Sequence, residues 1–372
     1  MAQPLQLFGG KLGEIAGYLR NEDVSLAVPP NRRIPVEDFR FKPCLSQRFS
    51  RFRSTFASGL IPVKDDADVL RPMTDKFKVA VIGLGSMGYG MAQSRLRAGH
   101  VTHGIDISDA QMERFSCEGG TRGSVEDIAS ALNAAVIVVL NAAQTEQVLF
   151  GDDGLVAGMC VGSVVISCAT VPPEFAKEME TRCNAKGVHY LDEPISGGSV
   201  KAAQGQLSVM ASGTSEAFVV ARPVLDAIAE TVFELGAAAG AGSAMKAVNQ
   251  LLAGVHIAVM AEAMTFGMTQ GVAPETFVEV ISRCAGTSWM LENRAPHIVA
   301  GDYTPHSQVK IWPKDLGIVL DIAKSARFNA PITAAAMQQF LMAAEMGLGG
   351  EDDSAVSKVY ARNVGLSLPG EM

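Results

Sequence analysis

The chain has 372 residues, 48% of them hydrophobic and 19% charged, and 39 acidic against 31 basic side chains leave a formal charge of −8. That is too apolar for a disordered chain and too acidic for a protein that grips nucleic acid by displacing counterions, so no nucleic-acid partner is expected. Six cysteines, at positions 44, 117, 160, 168, 183 and 284, include no C-x-x-C pair. They read as free thiols rather than as a disulfide framework or a zinc site, and no metal is expected.

Residues 1–76 lack sustained periodicity and read as an N-terminal extension. Arg40, Lys42, Arg48, Arg51 and Arg53 stand among serines and phenylalanines with no acid from Phe39 to Lys64. The composition is that of a mitochondrial transit peptide, but it sits behind Glu14, Glu22, Asp23, Glu37 and Asp38. A disordered tail, an upstream stretch ahead of a true start near Met73, and a working presequence all fit. The first twenty residues lack the apolar run of a secretory signal. A cytoplasmic location is expected, with a mitochondrial one as the alternative.

The pattern changes at Phe77. Short β-branched runs at Val79–Ile82, Val101–Ile105, Ala135–Leu140, Ser163–Ser167, Val188–Leu191 and Leu207–Ala211 alternate with Ala-rich helical stretches. Continuous apolar runs of this length suit strands buried on both faces, and the alternation predicts a parallel α/β sheet. The expected organisation is a Rossmann-type α/β domain over 77–239, an all-helical C-terminal domain over 240–362 and a tail over 363–372.

The first strand runs into Gly83-Leu84-Gly85-Ser86-Met87-Gly88, a G-x-G-x-x-G, and Tyr89–Arg97 then reads as a helix. A lone glycine motif says little, but strand before and helix behind are the context of a dinucleotide site. Gly83 permits the tight turn, Gly85 lets the backbone approach a pyrophosphate, and Gly88 lets helix and strand pack closely. The phosphates then lie against amides at a helix N-terminus. Asp106 follows the second strand, 23 positions after Gly83, where a carboxylate accepts the adenosine ribose hydroxyls and repels a 2′-phosphate. With no Arg or Lys until Arg114, the predicted cofactor is NAD rather than NADP.

The histidines, at 100, 103, 189, 256, 297 and 306, are scattered. His100 and His103 read as turn residues, and His256 as a structural residue on an apolar helix. Leu191-Asp192-Glu193-Pro194-Ile195-Ser196-Gly197-Gly198 reads as a strand end and a Ser-Gly-Gly loop before a helix. Exposed amides and a hydroxyl there make a neutral cradle for a carboxylate, although a simple turn and cap fits equally. Gly240 to Gln250 opens a long helix with Ser243 or Gly242 as its cap, which places Lys246 in the first turn and Asn249 and Gln250 on its face. The positive helix end and apolar surroundings both lower the lysine pKa toward a value useful for proton transfer, while a solvated first-turn lysine reads equally well. Asn249, Gln250, His256 and Glu262 interrupt the apolar stretch from Ala247 to Phe266, so it reads as a core helix and no membrane association is expected.

In this order the motifs resemble the β-hydroxyacid dehydrogenase family, which includes 3-hydroxyisobutyrate dehydrogenase and tartronate semialdehyde reductase, over about residues 77–360. The matching residues are Gly83 to Gly88, Asp192 to Gly198 with Ala202 to Leu207, Gly240 to Lys246, and Lys314-Asp315-Leu316. The resemblance implies that Lys246 is the general acid/base and that Ser196, Gly197 and Gly198 clamp the substrate carboxylate. It also implies that Lys314 reaches the nicotinamide from the helical domain, and that Thr170, Asn141 and the Leu84, Ser86 and Met87 positions contact the cofactor. The family usually has an Asn four residues after the lysine; here Gln250 stands there, preceded by Asn249, so the pocket should meet other hydroxyls than those of 3-hydroxyisobutyrate. Ser196–Ser212, Gln250–Met264, Gly286–Asp315 and Glu351–Val356 resemble the branch of the family that oxidises L-threonate to a 2-oxo-tetronate. A small hydroxy acid substrate and a homodimer or homotetramer are implied. Oxidation of 3-hydroxyisobutyrate, reduction of tartronate or succinic semialdehyde, imine reduction on a similar fold and non-catalytic NAD(H) binding are the competing readings.

Overall fold

The computed structural model describes residues 77–371, and the expectations for residues 1–76 fall outside them. In chain order the first part holds β1 (Lys78–Ile82), α1 (Gly88–Arg97), β2 (Val101–Ile105), α2 (Asp109–Cys117), α3 (Val125–Ile128), β3 (Ala134–Ile137), α4 (Ala142–Phe150), α5 (Leu155–Gly158), β4 (Val164–Ser167), α6 (Pro173–Asn184) and β5 (His189–Asp192). These five strands form one parallel sheet in the order β2-β1-β3-β4-β5. Val79, Ala80 and Val81 of β1 and Val164, Val165 and Ile166 of β4 have no solvent exposure, as strands covered by helices on both faces must. The order reverses between β1 and β3, so the crevice at their carboxyl ends is the natural ligand site of such a sheet.

The chain continues through β6 (Ile195–Ser196), α7 (Gly198–Gln204), β7 (Leu207–Ala211), α8 (Ser215–Ile228) and β8 (Ala229–Glu234). Leu207–Ala211 is a strand as predicted, but it does not join the parallel sheet. It is the centre of a second, three-stranded sheet, antiparallel to β6 and parallel to β8. The predicted strand Ala135–Leu140 ends at Ile137, and Val138, Val139 and Leu140 leave the sheet to line the crevice. His103, read as a turn residue, lies within β2.

The remainder is helical: α9 (Ala241–Thr269), α10 (Pro274–Ile281), α11 (Trp289–Ala300), α12 (Ile311–Ser325), α13 (Pro331–Glu345) and α14 (Ser357–Asn363). The Rossmann-type α/β half followed by an all-helical half is thus present. The axis of the helical half is α9, 29 residues and roughly 43 Å at 1.5 Å per residue. It is long enough, and over an 18-residue window with a mean hydropathy of 1.6 apolar enough, to cross a membrane, but α10 to α14 all pack on it. Its buried Ile257, Ala261 and Met264 join Phe277, Leu316 and Phe340 in one core. Gly254 permits this: a Cβ there would meet Trp312 and Leu316 of α12 at 2.9 Å.

The start of α9 differs from the sequence reading. Its cap is Gly240, at φ +110°, rather than Ser243 or Gly242, and the helix begins at Ala241. The reason is Asp192 at the end of β5. Its carboxylate accepts the Gly240 and Ser243 amides, both at 2.9 Å, and the Ser243 hydroxyl at 2.6 Å. A side chain from the sheet half therefore satisfies the helix-end donors. Lys246 consequently falls in the second turn, where the helix-end field has faded.

Candidate active site

The loop after β1 is shaped by what its glycines exclude. Gly83 turns at φ +98°, and a Cβ on it would run into the Val138 carbonyl. A Cβ on Gly88 would strike the Gly83 carbonyl, so α1 can seat on β1 only without one. Around Gly85 the space is open. The loop presents bare backbone and the start of α1 to the crevice, which suits a pyrophosphate. Leu84 is fully buried and gives its amide to Asp106 Oδ2 at 2.6 Å, while Asp106 Oδ1 accepts the Ser108 amide at 2.8 Å. Asp106 thus ties the end of β2 to the glycine loop and keeps lone pairs for a ribose. Arg114, the first basic residue after it, lies over the Tyr89 ring at 4.2 Å and pairs with Glu118 at 3.7 Å.

A cavity of about 710 Å³ opens from this loop toward the helical half. Gly85, Ser86, Met87, Gly88 and Thr170 line its sheet side, together with Ser196, Gly197 and Gly198. Lys246, Asn249, Gln250 and Lys314 line its helical side. Gly83, Leu84, Asp106 and Asn141 are not part of this lining. Asn141 caps α4, its Oδ1 accepting the Gln144 amide at 2.9 Å. Gly197 and Gly198 take φ of +135° and +79°, and their amides have no partner among the described residues. They remain available to an anion.

Lys246 Nζ donates to the Ile195 carbonyl at 2.7 Å, one residue from Ser196. Burial pulls its ammonium down to about 8; Asp315 opposes this and Lys314 adds to it. The lowering therefore comes from desolvation rather than from the helix end. Asp315 is nearly fully buried, accepts from Gln250 Nε2, and pairs with Lys314 at 2.6 Å. Lys314 Nζ also donates to the Leu140 carbonyl at 2.8 Å, so it spans the crevice. Asn249 Nδ2 donates to Gln250 Oε1 at 2.9 Å. Gln250 is therefore held on both polar ends by the protein, where the sequence reading left it free to orient a ligand; one N–H and one lone pair remain to it.

Sequence reasoning assigned no role to Asp192 or Asp315, although both stand inside quoted motifs. The available signal was an acid beside each functional segment, one ahead of the Ser-Gly-Gly loop and one after Lys314. Neighbouring Glu193 is fully buried, its carboxyl oxygens without a hydrogen-bond partner among the described residues, and burial raises its carboxyl well above the usual range.

Residues 78–236 match the family model described as the NAD binding domain of 6-phosphogluconate dehydrogenase, and residues 240–360 the model described as NAD-binding of NADP-dependent 3-hydroxyisobutyrate dehydrogenase. The chain is 50% identical over 294 residues to the L-threonate dehydrogenase of Cupriavidus necator, covering 79% of this chain and 98% of that protein. It is 43% identical over 297 residues to the L-threonate dehydrogenase of Escherichia coli strain K12, covering 79% and 97%. The crystal structure of 3-hydroxyisobutyrate dehydrogenase from Salmonella typhimurium has a TM-score of 0.73 at 46% identity, covering 76% of this chain and 99% of that one.

Proposed function

From the premise that the chain belongs to the β-hydroxyacid dehydrogenase family and is an NAD(P)-dependent oxidoreductase of hydroxy acids, we propose that it oxidises L-threonate to a 2-oxo-tetronate with NAD. The observation that carries the reading is the contact of Lys246 with the Ile195 carbonyl, which seats a lysine of lowered pKa beside the Ser196–Gly198 cradle in the cavity that begins at the glycine loop. The 43–50% identity to proteins named L-threonate dehydrogenase supports the choice of acid.

In this reading the glycine loop, the start of α1 and Asp106 hold the dinucleotide, and Thr170 and Lys314 border it. When bound, NAD supplies the hydride acceptor. Ser196 and the Gly197 and Gly198 amides hold the substrate carboxylate. Neutral Lys246 takes the proton from the hydroxyl oxygen as the carbinol carbon loses hydride. Asp315 fixes Gln250, which with Asn249 presents the remaining amide donors to the substrate. Asp106, a carboxylate at the end of β2 tied to the Leu84 amide, favours NAD over NADP.

We also place a second copy of the chain on α9. Met245, Val248, Leu252, Val259 and Phe266 are exposed along it at intervals of three, four and seven, a stripe suited to a partner helix. Light scattering that returns a monomer removes this assignment.

The test of substrate is NADH formation by purified protein offered L-threonate, D-threonate, L-serine, glycerate and 3-hydroxyisobutyrate. Preference for L-threonate supports the reading. Preference for 3-hydroxyisobutyrate or L-serine overturns the substrate while leaving the lysine chemistry in place.

A further inference from the structure

The cavity continues past the reacting lysine. Lys246, Asn249, Gln250 and Ala253 line it in succession along α9, eight residues spanning roughly 10 Å of helix. That is more depth than a carbinol carbon and its carboxylate occupy. At the far end α11 contributes Trp289, Met290, Asn293 and Arg294.

Arg294 is unusual there. Only 8% of it is exposed, yet it lines the cavity. Its Nε donates to Asp353 Oδ1 at 2.6 Å, and its Nη1 donates to Asn293 Oδ1. Asp353, fully buried, is occupied on its other oxygen by Trp312 Nε1 at 3.0 Å. One edge of the guanidinium is thus fixed by a buried carboxylate that Trp312 also holds. Nη2 has no hydrogen-bond partner among the described residues and is not sealed from the cavity. Asn293, its Oδ1 committed to Arg294, has only its Nδ2 donors to offer. A desolvated guanidinium with unspent N–H groups calls for an acceptor. Asp353 offsets its charge, so the end of the cavity is rich in donors without being strongly cationic. Such a surface suits neutral hydroxyls better than a second carboxylate. The indoles of Trp289 and Trp312 supply apolar walls beside it.

We propose that Arg294 and Asn293 form a hydroxyl-recognising subsite at the far end of the active-site cavity, and that it holds the tail of a polyhydroxylated acid while the Ser196–Gly198 cradle holds the carboxylate. This inference rests on the dehydrogenase reading above and adds the determinant of chain length and hydroxylation. A site built to pair hydroxyls penalises an analogue that lacks them, because its polar groups are left unpaired. Gln250, held by Asp315 and Asn249, then meets the middle of the substrate rather than its end.

The test compares kcat/KM for L-threonate with that for the glycerate of the same C2 configuration, which lacks the terminal carbinol. Arg294→Lys retains a charge for Asp353 but loses the fork, and Asn293→Ala leaves the Arg294–Asp353 pair intact. In both variants the threonate-to-glycerate ratio is expected to fall, by about thirtyfold for Arg294→Lys, the loss of a hydrogen bond from a charged donor, and by less for Asn293→Ala. The loss should appear in KM on the longer acid. An unchanged ratio, with both acids falling together or neither falling, overturns the subsite and leaves Arg294 as a packing residue. Asn293→Ala decides the matter if Arg294→Lys does not fold. A wild-type preference for tartrate over L-threonate also overturns it, because the far end would then be an anion site. If the wild-type enzyme prefers another acid in the panel, the substrate assignment fails, and the ratio is read for that acid against its homologue lacking the last carbinol.

Discussion

On the sheet side of the cavity the ligand-facing groups are main-chain amides, and on the helical side they are long side chains tethered by buried carboxylates. Gly83, Gly85, Gly88, Gly197 and Gly198 act by what they lack, and the backbone does the holding. Lys314 and Gln250 are held by Asp315, Arg294 by Asp353, and the helix that carries Lys246 by Asp192. Amide cradles suit groups shared by all substrates of the reaction, the pyrophosphate and the carboxylate. Tethered side chains suit groups that differ from one substrate to the next, since a tether can be re-aimed by one substitution.

The largest expected effect sharpens that division. Lys246→Ala should lower kcat by about 10³-fold, the range of general acid–base catalysis, while NADH affinity by fluorescence titration stays within about twofold. A matching loss of NADH affinity would mean that the helical side also holds the cofactor, and the division would fail. Next is pH. Lys246 must be neutral to accept a proton, and with a pKa of about 8 its neutral fraction falls tenfold per pH unit below that value. kcat/KM for oxidation should therefore rise about fiftyfold from pH 6 to pH 8 and level off above about pH 9, while the reverse reduction, which needs the ammonium, should decline above pH 8. A flat oxidation profile across that range would remove the lysine from the proton transfer.

Asp106→Ala should reduce the NAD/NADP ratio of kcat/KM by about tenfold, the order of one lost charge-assisted contact. An unchanged ratio would sink the assignment of this carboxylate to the ribose. The smallest effect belongs to Asn141. Because its side chain caps α4, Asn141→Ala should cost about 1 kcal/mol of stability, read as a lowered Tm, with the KM for NAD unchanged. A raised KM with an unaltered Tm would restore it to the cofactor site.

Legibility in the sequence follows the same division. β1, the glycine loop and Asp106 are readable because a turn and the strand–helix pair around it are local, and Gly83 and Gly88 answer contacts with the loop itself or with Val138. The strand β8 is not legible because only Ala229 and Val232 are even half-buried in it and it carries Glu230 and Glu234, unlike the apolar runs of the main sheet. Leu207–Ala211 was legible as a strand but not as a member of a second sheet, since nothing in an apolar run says which neighbour it pairs with. Gln250 was singled out as a departure from the family pattern, but its tether lies 65 positions away, and no periodicity connects the two. Arg294 stood inside a quoted stretch; its role depends on Asp353, which only the packing of the helical half brings to it.

The capping of α9 by Asp192 bears on how the chain folds. The donors at the start of that helix find their acceptor 48 and 51 residues earlier in the chain, on the last strand of the parallel sheet. The helix start is therefore complete only after β5 is in place, and synthesis delivers the two in that order. The sheet half can form while the helical half is still emerging, and Asp192 then serves as the fixed point on which the longest helix is registered.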